Sequence, residues 1–194
     1  MPPAENLHDL PEGLPAPVDD GACDHLPGMA LPSLAVPSTA GGVVNLSSLP
    51  GRTVVYCYPM TGRPDADLPT GWDEIPGARG CTPQSCAFRD HDAELQDLGA
   101  ELFGLSTQST AYQREAAERL RLPFGLLSDE GLAFAEALGL PTFELEGMVL
   151  VKRLTLLIRD GRIEAVFYPV FPPNESAEEV IRWLQRATQS PLHR

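Results

Sequence analysis

The chain has 194 residues, of which 43% are hydrophobic, and a formal net charge of −13 at pH 7. This length and hydrophobic content suit one domain with a substantial core. An acidic surface repels phosphate backbones and anionic lipids, which argues against nucleic acid or a membrane as partner. No apolar run reaches the ~20 residues that a membrane-spanning helix needs, and the N-terminus lacks the basic start and apolar segment of a signal peptide. We therefore expect a cytoplasmic protein.

The hydrophobic pattern predicts an N-terminal arm followed by a single α/β domain. Residues 1–27 are rich in Pro, Asp and Gly without periodicity, which indicates an extended or partly disordered arm. Residues 28–194 form the domain. Its predicted strands are 53–58, 101–106, 124–128 and a hairpin over 153–168, and its predicted helices are 82–98, 109–122, 129–138 and 176–188. This order fits a thioredoxin-like fold, in which a mixed central sheet is flanked by helices on both faces.

Local signals mark some of these elements more sharply than others. The dipeptide Asp160-Gly161 is typical of a tight hairpin turn. Ser176, with Glu179 three residues later, predicts the N-cap of the last helix. A loop rich in Pro and Gly occupies about 60–78, and a loop of that length inside a compact domain is usually functional or an insertion. Trp72 within this loop is expected to be exposed.

Four cysteines are too few for a disulfide-stapled scaffold of this length. In a reducing cytosol, a close cysteine pair is catalytic, redox-sensing or metal-binding more often than structural. Cys81 and Cys86 form such a pair in PGARGCTPQSCAFRD. We expect Cys57 to be a core residue of its strand and Cys23 to be incidental in the arm. The histidines near the chain ends, His8 among them, are expected to be solvated.

Cys81 lies where a loop enters a helix, after the buried strand 53–58. The free N–H groups and the dipole of a helix N-terminus favour an anion, which for a cysteine is the reactive thiolate. Arg79 is close enough in sequence to add to this effect. In a helix, five residues span roughly 7.5 Å of rise and point about 140° apart. A disulfide needs Cα atoms within about 7 Å, so Cys81 and Cys86 can pair only if the first helical turn unwinds.

The residues alone leave several interpretations of the cysteine pair open. The two could be small buried core residues. They could contribute to a zinc site, although such a site needs about four N or S ligands and only His91 lies nearby. A redox sensor or a thiol–disulfide oxidoreductase would also use a pair of this kind.

Several stretches carry a more specific resemblance: VVYCYP, PGARGCTPQSCAFRD, FGLSTQS, LPFGLLSDE and KRLTLLIRDGRIEAVF. In these stretches, which follow in family order over most of 28–188, the chain is similar to peroxiredoxins of the bacterioferritin-comigratory or PrxQ type. The resemblance implies a thioredoxin fold and thiol-dependent reduction of hydrogen peroxide or organic hydroperoxides, with a thioredoxin-like reductant and no metal or organic cofactor.

The resemblance also assigns roles to residues. Cys81 matches the peroxidatic cysteine, which peroxide oxidises to a sulfenic acid. Cys86 matches the resolving cysteine, which forms an intramolecular disulfide with it before thiol exchange with the reductant. Arg153 matches the arginine that stabilises thiolate and peroxide, and Pro59 the proline that shields the pocket. Because both cysteines belong to one chain, we expect a monomer.

The sequence departs from the family pattern Pro-x-x-x-Thr/Ser-x-x-Cys. Pro59 and Cys81 are 22 positions apart, and Ala78 occupies the place of the hydroxyl residue. Thr61 is the predicted substitute, since it stays close to Pro59 while the loop bulges away. Thr70 and Thr82 are weaker candidates.

Overall fold

A computed structural model describes residues 6–189 of the chain. Its centre is a five-stranded mixed sheet in the order β5-β4-β3-β8-β9, with β3, β4 and β5 parallel to one another and β8 and β9 antiparallel to their neighbours. The strands are β1 (Val36–Pro37), β2 (Val43–Val44), β3 (Arg52–Cys57), β4 (Ala100–Ser106), β5 (Leu126–Ser128), β6 (Thr142–Leu145), β7 (Met148–Val151), β8 (Leu154–Arg159) and β9 (Arg162–Phe167). The pairs β1–β2 and β6–β7 form two small antiparallel sheets. The predicted thioredoxin-like α/β fold is confirmed.

Five helices complete the described chain: α1 (Cys81–Asp90), α2 (Asp92–Asp97), α3 (Thr110–Arg119), α4 (Ala133–Leu138) and α5 (Ser176–Gln189). The predicted helix 82–98 is thus two helices, because the backbone leaves helical geometry at His91. The helix predicted from residue 129 begins only at Ala133. The reason is that the Asp129 carboxylate accepts hydrogen bonds from the amides of Phe134 and Ala135, at 2.9 and 2.8 Å. None of the helices within residues 6–189 combines the length and apolarity needed to cross a membrane.

The prediction that Ser176 caps the last helix is wrong. A short 3₁₀ turn over Pro173–Glu175 precedes it, and Ser176 itself has helical dihedral angles. Its hydroxyl instead accepts a hydrogen bond of 3.2 Å from the Gln84 side chain of α1. Ser176 therefore links α5 to α1 instead of capping the N-terminus of α5.

Strand β3 is buried on both faces, as expected for the centre of a sheet covered by helices. Val54 and Tyr56 face a core shared with α1 and α5, whereas Val55 and Cys57 face a core shared with α4. On the first side, the ring of Tyr56 stacks on Phe88 of α1 with centroids 4.5 Å apart. This stacking fixes the middle of α1 to the sheet.

The described part of the arm, residues 6–27, contains no helix or strand, yet much of it packs on the domain. Leu26 is fully buried, and Cys23 lies in the core beside Phe134. Burial, assisted by the nearby Asp20 carboxylate, raises the pKa of the Cys23 thiol to about 12. Cys23 is therefore an inert core residue. The division of the chain at residue 27 stays a prediction.

The loop at about 60–78 folds back onto the domain. Trp72 is only 3% exposed, so its expected exposure is wrong. It packs in a small separate cluster with Met60, Ala78 and Leu150, and its ring lies 6.3 Å from that of Phe143. The loop is thus an ordered wall beside the end of β3.

Two hairpins share the same turn geometry but differ in their surroundings. Asp160-Gly161 joins β8 to β9, and Glu146-Gly147 joins β6 to β7, with all four φ angles between 49° and 78°. A Cβ at Gly161 would overlap the Ser47 carbonyl oxygen, whereas one at Gly147 would meet no atom within 4 Å. Substitutions at these two glycines therefore distinguish the cost of backbone strain from the cost of steric overlap.

We predict that Gly147→Ala lowers the free energy of unfolding by about 1 kcal/mol, the cost of a side chain at positive φ. Gly161→Ala should cost about 2–4 kcal/mol, since overlap with backbone adds to that strain. Urea unfolding followed by circular dichroism measures both. Equal costs for the two substitutions would show that the contact with Ser47 is unimportant.

Candidate active site

Gly80 sets the geometry with which the chain enters α1. It is the N-cap residue, with φ 106° and ψ 21°, a conformation that favours glycine. A Cβ at this position would overlap Pro173 and lie 2.8 Å from Leu10 Cδ2. The turn at Gly80 makes Cys81 the first residue of α1, with its side chain 3% exposed. Cys81 therefore lies at the positive end of the helix, out of bulk water.

Arg153 approaches the same point from the sheet. It immediately precedes β8, and Leu154 pairs with Cys57 at the carboxyl end of β3. Its Nη2 atom lies 3.2 Å from Cys81 Sγ, and the residue is 3% exposed. The sequence assigns Arg153 to this sulfur only by resemblance, and the structure brings the two groups together.

The other contacts of Arg153 are with neutral oxygen atoms. Its guanidinium donates to three successive loop carbonyls and to the Gln84 side chain. These acceptors are Gly77 O at 3.2 Å, Ala78 O at 3.0 Å, Arg79 O at 3.3 Å and Gln84 Oε1. No carboxylate of residues 6–189 forms an ion pair with it.

A buried cation is costly unless an anion compensates it. At this site the atom that can become an anion is Cys81 Sγ. The Arg153 guanidinium and the N-terminus of α1 both present positive charge to this sulfur. The sulfur, the guanidinium and the helix N-terminus therefore meet in an environment that excludes bulk water.

Gln84 is a site residue that sequence reasoning missed. It is fully buried, accepts a hydrogen bond from Arg153 Nη1 and donates one to Ser176 Oγ. This chain of contacts fixes the guanidinium with respect to both α1 and α5. The signal that could have found it is its spacing, because a residue three positions after Cys81 lies on the same face of the helix.

Thr61 forms its described hydrogen bonds with Tyr112 of α3 and with Gln108 just before that helix. Its side chain is buried, its Oγ1 lies 3.3 Å from Gln108 Oε1, and its carbonyl accepts from the Tyr112 hydroxyl at 3.0 Å. At the position of the missing hydroxyl, Cys81 Sγ instead lies 3.7 Å from the backbone oxygen of Ala78. A role of Thr61 as the substitute hydroxyl stays a prediction.

Cys86 lies on the second turn of α1 and is partly exposed. Burial of its thiol raises the pKa, with Arg89 acting in the opposite direction. Both cysteines are free thiols within one intact helix, so the unwinding that a disulfide requires must start from this state. Cys57 is completely buried, and burial raises the pKa of its thiol far more strongly. Cys81 and Cys86 are the two free thiols on α1, and their role as the reactive pair stays a prediction.

A cavity of about 350 Å³ opens beside Arg153. Pro59, the predicted shielding residue, lies in its wall. The remaining walls are largely apolar and come from the arm, the 60–78 loop, β6 and the segment after β9: Pro17, Val18, Ile75, Pro76, Phe143, Pro169 and Val170. A small apolar molecule can therefore be held against the Arg153 side of the site.

Within residues 6–189, no three His, Cys, Asp or Glu side chains are grouped so that they could bind a metal ion. The zinc interpretation therefore has no ligand set among the described residues.

We predict that Arg153→Met slows alkylation of Cys81 by iodoacetamide at pH 7. A charge-assisted hydrogen bond is worth about 1.5–3 kcal/mol, so its loss should slow alkylation of Cys81 roughly 10- to 100-fold. Peptide mapping by mass spectrometry quantifies the label at each cysteine. Arg159→Met, at the exposed far end of β8, is the matched control. An unchanged rate in Arg153→Met would mean that the guanidinium does not stabilise the thiolate.

Comparison with known proteins agrees with this geometry. The family model described as Redoxin matches residues 26–181. Peroxiredoxin Q of Populus jackii is 33% identical over 159 residues, which cover 81% of this chain and 67% of that protein. Peroxiredoxin Q of Sedum lineare is also 33% identical, with 77% of its length covered. The chain spans 66% of the length of the rice peroxiredoxin Q proteins that it matches at the same identity.

Solved structures give the same result. Peroxidoxin BcpB of Mycobacterium tuberculosis superposes with a TM-score of 0.67 at 28% identity, covering 86% of this chain and all of that one. The C47S mutant of Xylella fastidiosa PrxQ superposes with a TM-score of 0.68 at 20% identity, covering 85% of this chain and 99% of that one, which shows the shared fold. The chain belongs to the Redoxin family and, within it, to the peroxiredoxins of the Q type.

Proposed function

We propose that this protein is a thiol-dependent peroxidase that reduces hydrogen peroxide and organic hydroperoxides. The observation that carries the proposal is the contact of 3.2 Å between the Arg153 guanidinium and Cys81 Sγ, at a helix N-terminus and without a competing carboxylate in the described chain. Membership of the peroxiredoxins supports it. The reaction needs no metal or organic cofactor, because sulfur itself accepts the oxygen atom.

In the first step, the Cys81 thiolate attacks one oxygen of the peroxide. The O–O bond breaks, the attacked oxygen stays on sulfur as a sulfenic acid, and the other leaves as water or an alcohol after taking up a proton. Negative charge moves from sulfur to the leaving oxygen during this step. The Arg153 guanidinium lies beside the sulfur and stabilises that charge without reorganising.

In the second step, Cys86 attacks the sulfenic sulfur, water leaves, and an intramolecular disulfide forms. This step requires the first turn of α1 to unwind, since both cysteines lie in one helix. A thioredoxin-like reductant then restores both thiols by exchange. The cycle is complete within one chain, which supports a monomer.

The burial of Cys81 argues against a thiol–disulfide oxidoreductase as the primary activity. A thiol–disulfide oxidoreductase must present its sulfur to another protein, and Cys81 is 3% exposed in the reduced state. A small peroxide reaches such a sulfur more easily than a protein disulfide does. The apolar cavity beside Arg153 suits the organic part of a hydroperoxide.

We predict that Cys81→Ser abolishes peroxide consumption in an assay with thioredoxin, thioredoxin reductase and NADPH. Cys86→Ser should lose turnover with thioredoxin but keep one rapid turnover and stop as the sulfenic acid, which only small external thiols reduce. Cys23→Ala, at a buried cysteine outside the site, is the control and should keep its activity.

Mass spectrometry of the oxidised wild type should show a Cys81–Cys86 link. Peroxide turnover by Cys81→Ser equal to that of wild type would refute the assignment. Disulfide exchange with proteins in the absence of peroxide turnover would favour the oxidoreductase instead.

A further inference from the structure

The start of the described arm lies across the active-site end of α1. The carbonyl of Asn6 accepts a hydrogen bond of 3.5 Å from Arg79. The side chain of Leu7 fills the space in which a side chain at Gly62 would lie, 2.8 Å from that Cβ position, and Leu10 packs on Gly80. Residues 6–10 are thus held in place at both ends.

His8 lies between these anchor points, and its ring faces the resolving cysteine. Its Nδ1 atom is 4.0 Å from Cys86 Sγ, within reach of a hydrogen bond to sulfur. The turn that presents it is closed by a hydrogen bond of 3.1 Å from the His8 amide to Asn6 Oδ1. Of residues 6–189, His8 contributes the one side chain within hydrogen-bonding distance of this sulfur.

Resolution needs a proton acceptor at Cys86. The attacking species is the thiolate, but burial raises the pKa of this thiol, and Asp90 raises it further against the opposing effect of Arg89. The leaving oxygen of the sulfenic acid must also gain a proton to depart as water. A neutral imidazole beside the thiol can accept the first proton and supply the second.

The contact can persist while the first turn of α1 unwinds. Cys86 belongs to the second turn, and Phe88 just beyond it is fixed by its stack on Tyr56. Leu7 is anchored on Gly62, which lies outside α1. Loss of helical structure from Cys81 to Ser85 therefore loosens the contact of Leu10 with Gly80 but leaves Cys86 and the Leu7 anchor next to His8 in place.

We propose that His8 is the general base of the resolution step. The imidazole takes the Cys86 proton as the sulfur attacks Cys81–SOH. The S–S bond forms, the S–O bond breaks, and the departing hydroxide takes that proton and leaves as water. The overall change is one sulfenic acid and one thiol to one disulfide and one water, with no further oxidant. The inference rests on the proposed peroxidase function and assigns a residue to its second step.

The test is a single turnover with hydrogen peroxide, quenched with acid and analysed by mass spectrometry. The first phase, sulfenic acid formation at Cys81, reports the proposed peroxidase; the second phase, disulfide formation, reports His8. In His8→Gln the second phase should slow about 100-fold or more and recover with added free imidazole. His91→Gln, a histidine paired with Glu94 at the end of α1, is the control and should behave as wild type.

Three outcomes would overturn the assignment. An unchanged second phase in His8→Gln would show that the contact has no role in resolution. A faster one would show that the arm only restrains α1. A slower phase that imidazole does not restore would show that His8 positions the arm without transferring a proton.

A second measurement separates failure of this inference from failure of the proposed function. In a Cys81→Ser background no peroxide chemistry occurs, and the alkylation rate of Cys86 by iodoacetamide reports its thiolate directly. His8→Gln should lower that rate several-fold, and an equal rate would contradict the proposal even if wild type proves to be an active peroxidase. If wild type shows no first phase, the peroxidase assignment fails whatever the alkylation rate.

Discussion

The buried guanidinium of Arg153 is the constraint around which the site is organised. It is withdrawn from water without a carboxylate partner in the described chain, so its hydrogen bonds must come from the backbone and from Gln84. Three consecutive carbonyls, from Gly77 to Arg79, turn inward to meet it. This fixes the last part of the loop and places Cys81 beside the guanidinium, where an anion would compensate the buried cation. The buried guanidinium of Arg153 therefore determines both the conformation of the loop and the environment of the Cys81 sulfur.

Because both cysteines lie on α1, the contacts that stabilise this helix oppose the unwinding that disulfide formation requires. Contacts of Gly80 with Pro173 and Leu10 hold the first turn, and the bond from Gln84 to Ser176 ties it to α5. Each of these must loosen before the sulfurs can meet. The contacts that preorganise the site for peroxide therefore oppose attack by Cys86 on the sulfenic acid. The sulfenic acid must persist until the first turn of α1 opens.

The sequence predicts the parts of the fold that depend on local chemistry. The buried strand at 53–58 and the Asp160-Gly161 turn follow from period, β-branched residues and turn preference, and both are found within a residue of their predicted positions. Burial in loops was mispredicted, because an aperiodic segment gives no sign of which side chain turns inward; Trp72 is the example. Gln84 and Ser176 were missed as a pair because their contact joins two distant helices, which no local pattern reports.

The replacement of the hydroxyl residue by Ala78 changes how the thiolate is stabilised. A methyl group cannot donate to sulfur, and the Ala78 carbonyl is a hydrogen-bond acceptor whose partner is Arg153. Within residues 6–189, the described hydrogen-bond donor to this sulfur is the Arg153 guanidinium. Because fewer groups share the charge, the chemistry of this site depends more heavily on Arg153. The carbonyls and Gln84 that hold that side chain in place therefore contribute to reactivity without touching the peroxide.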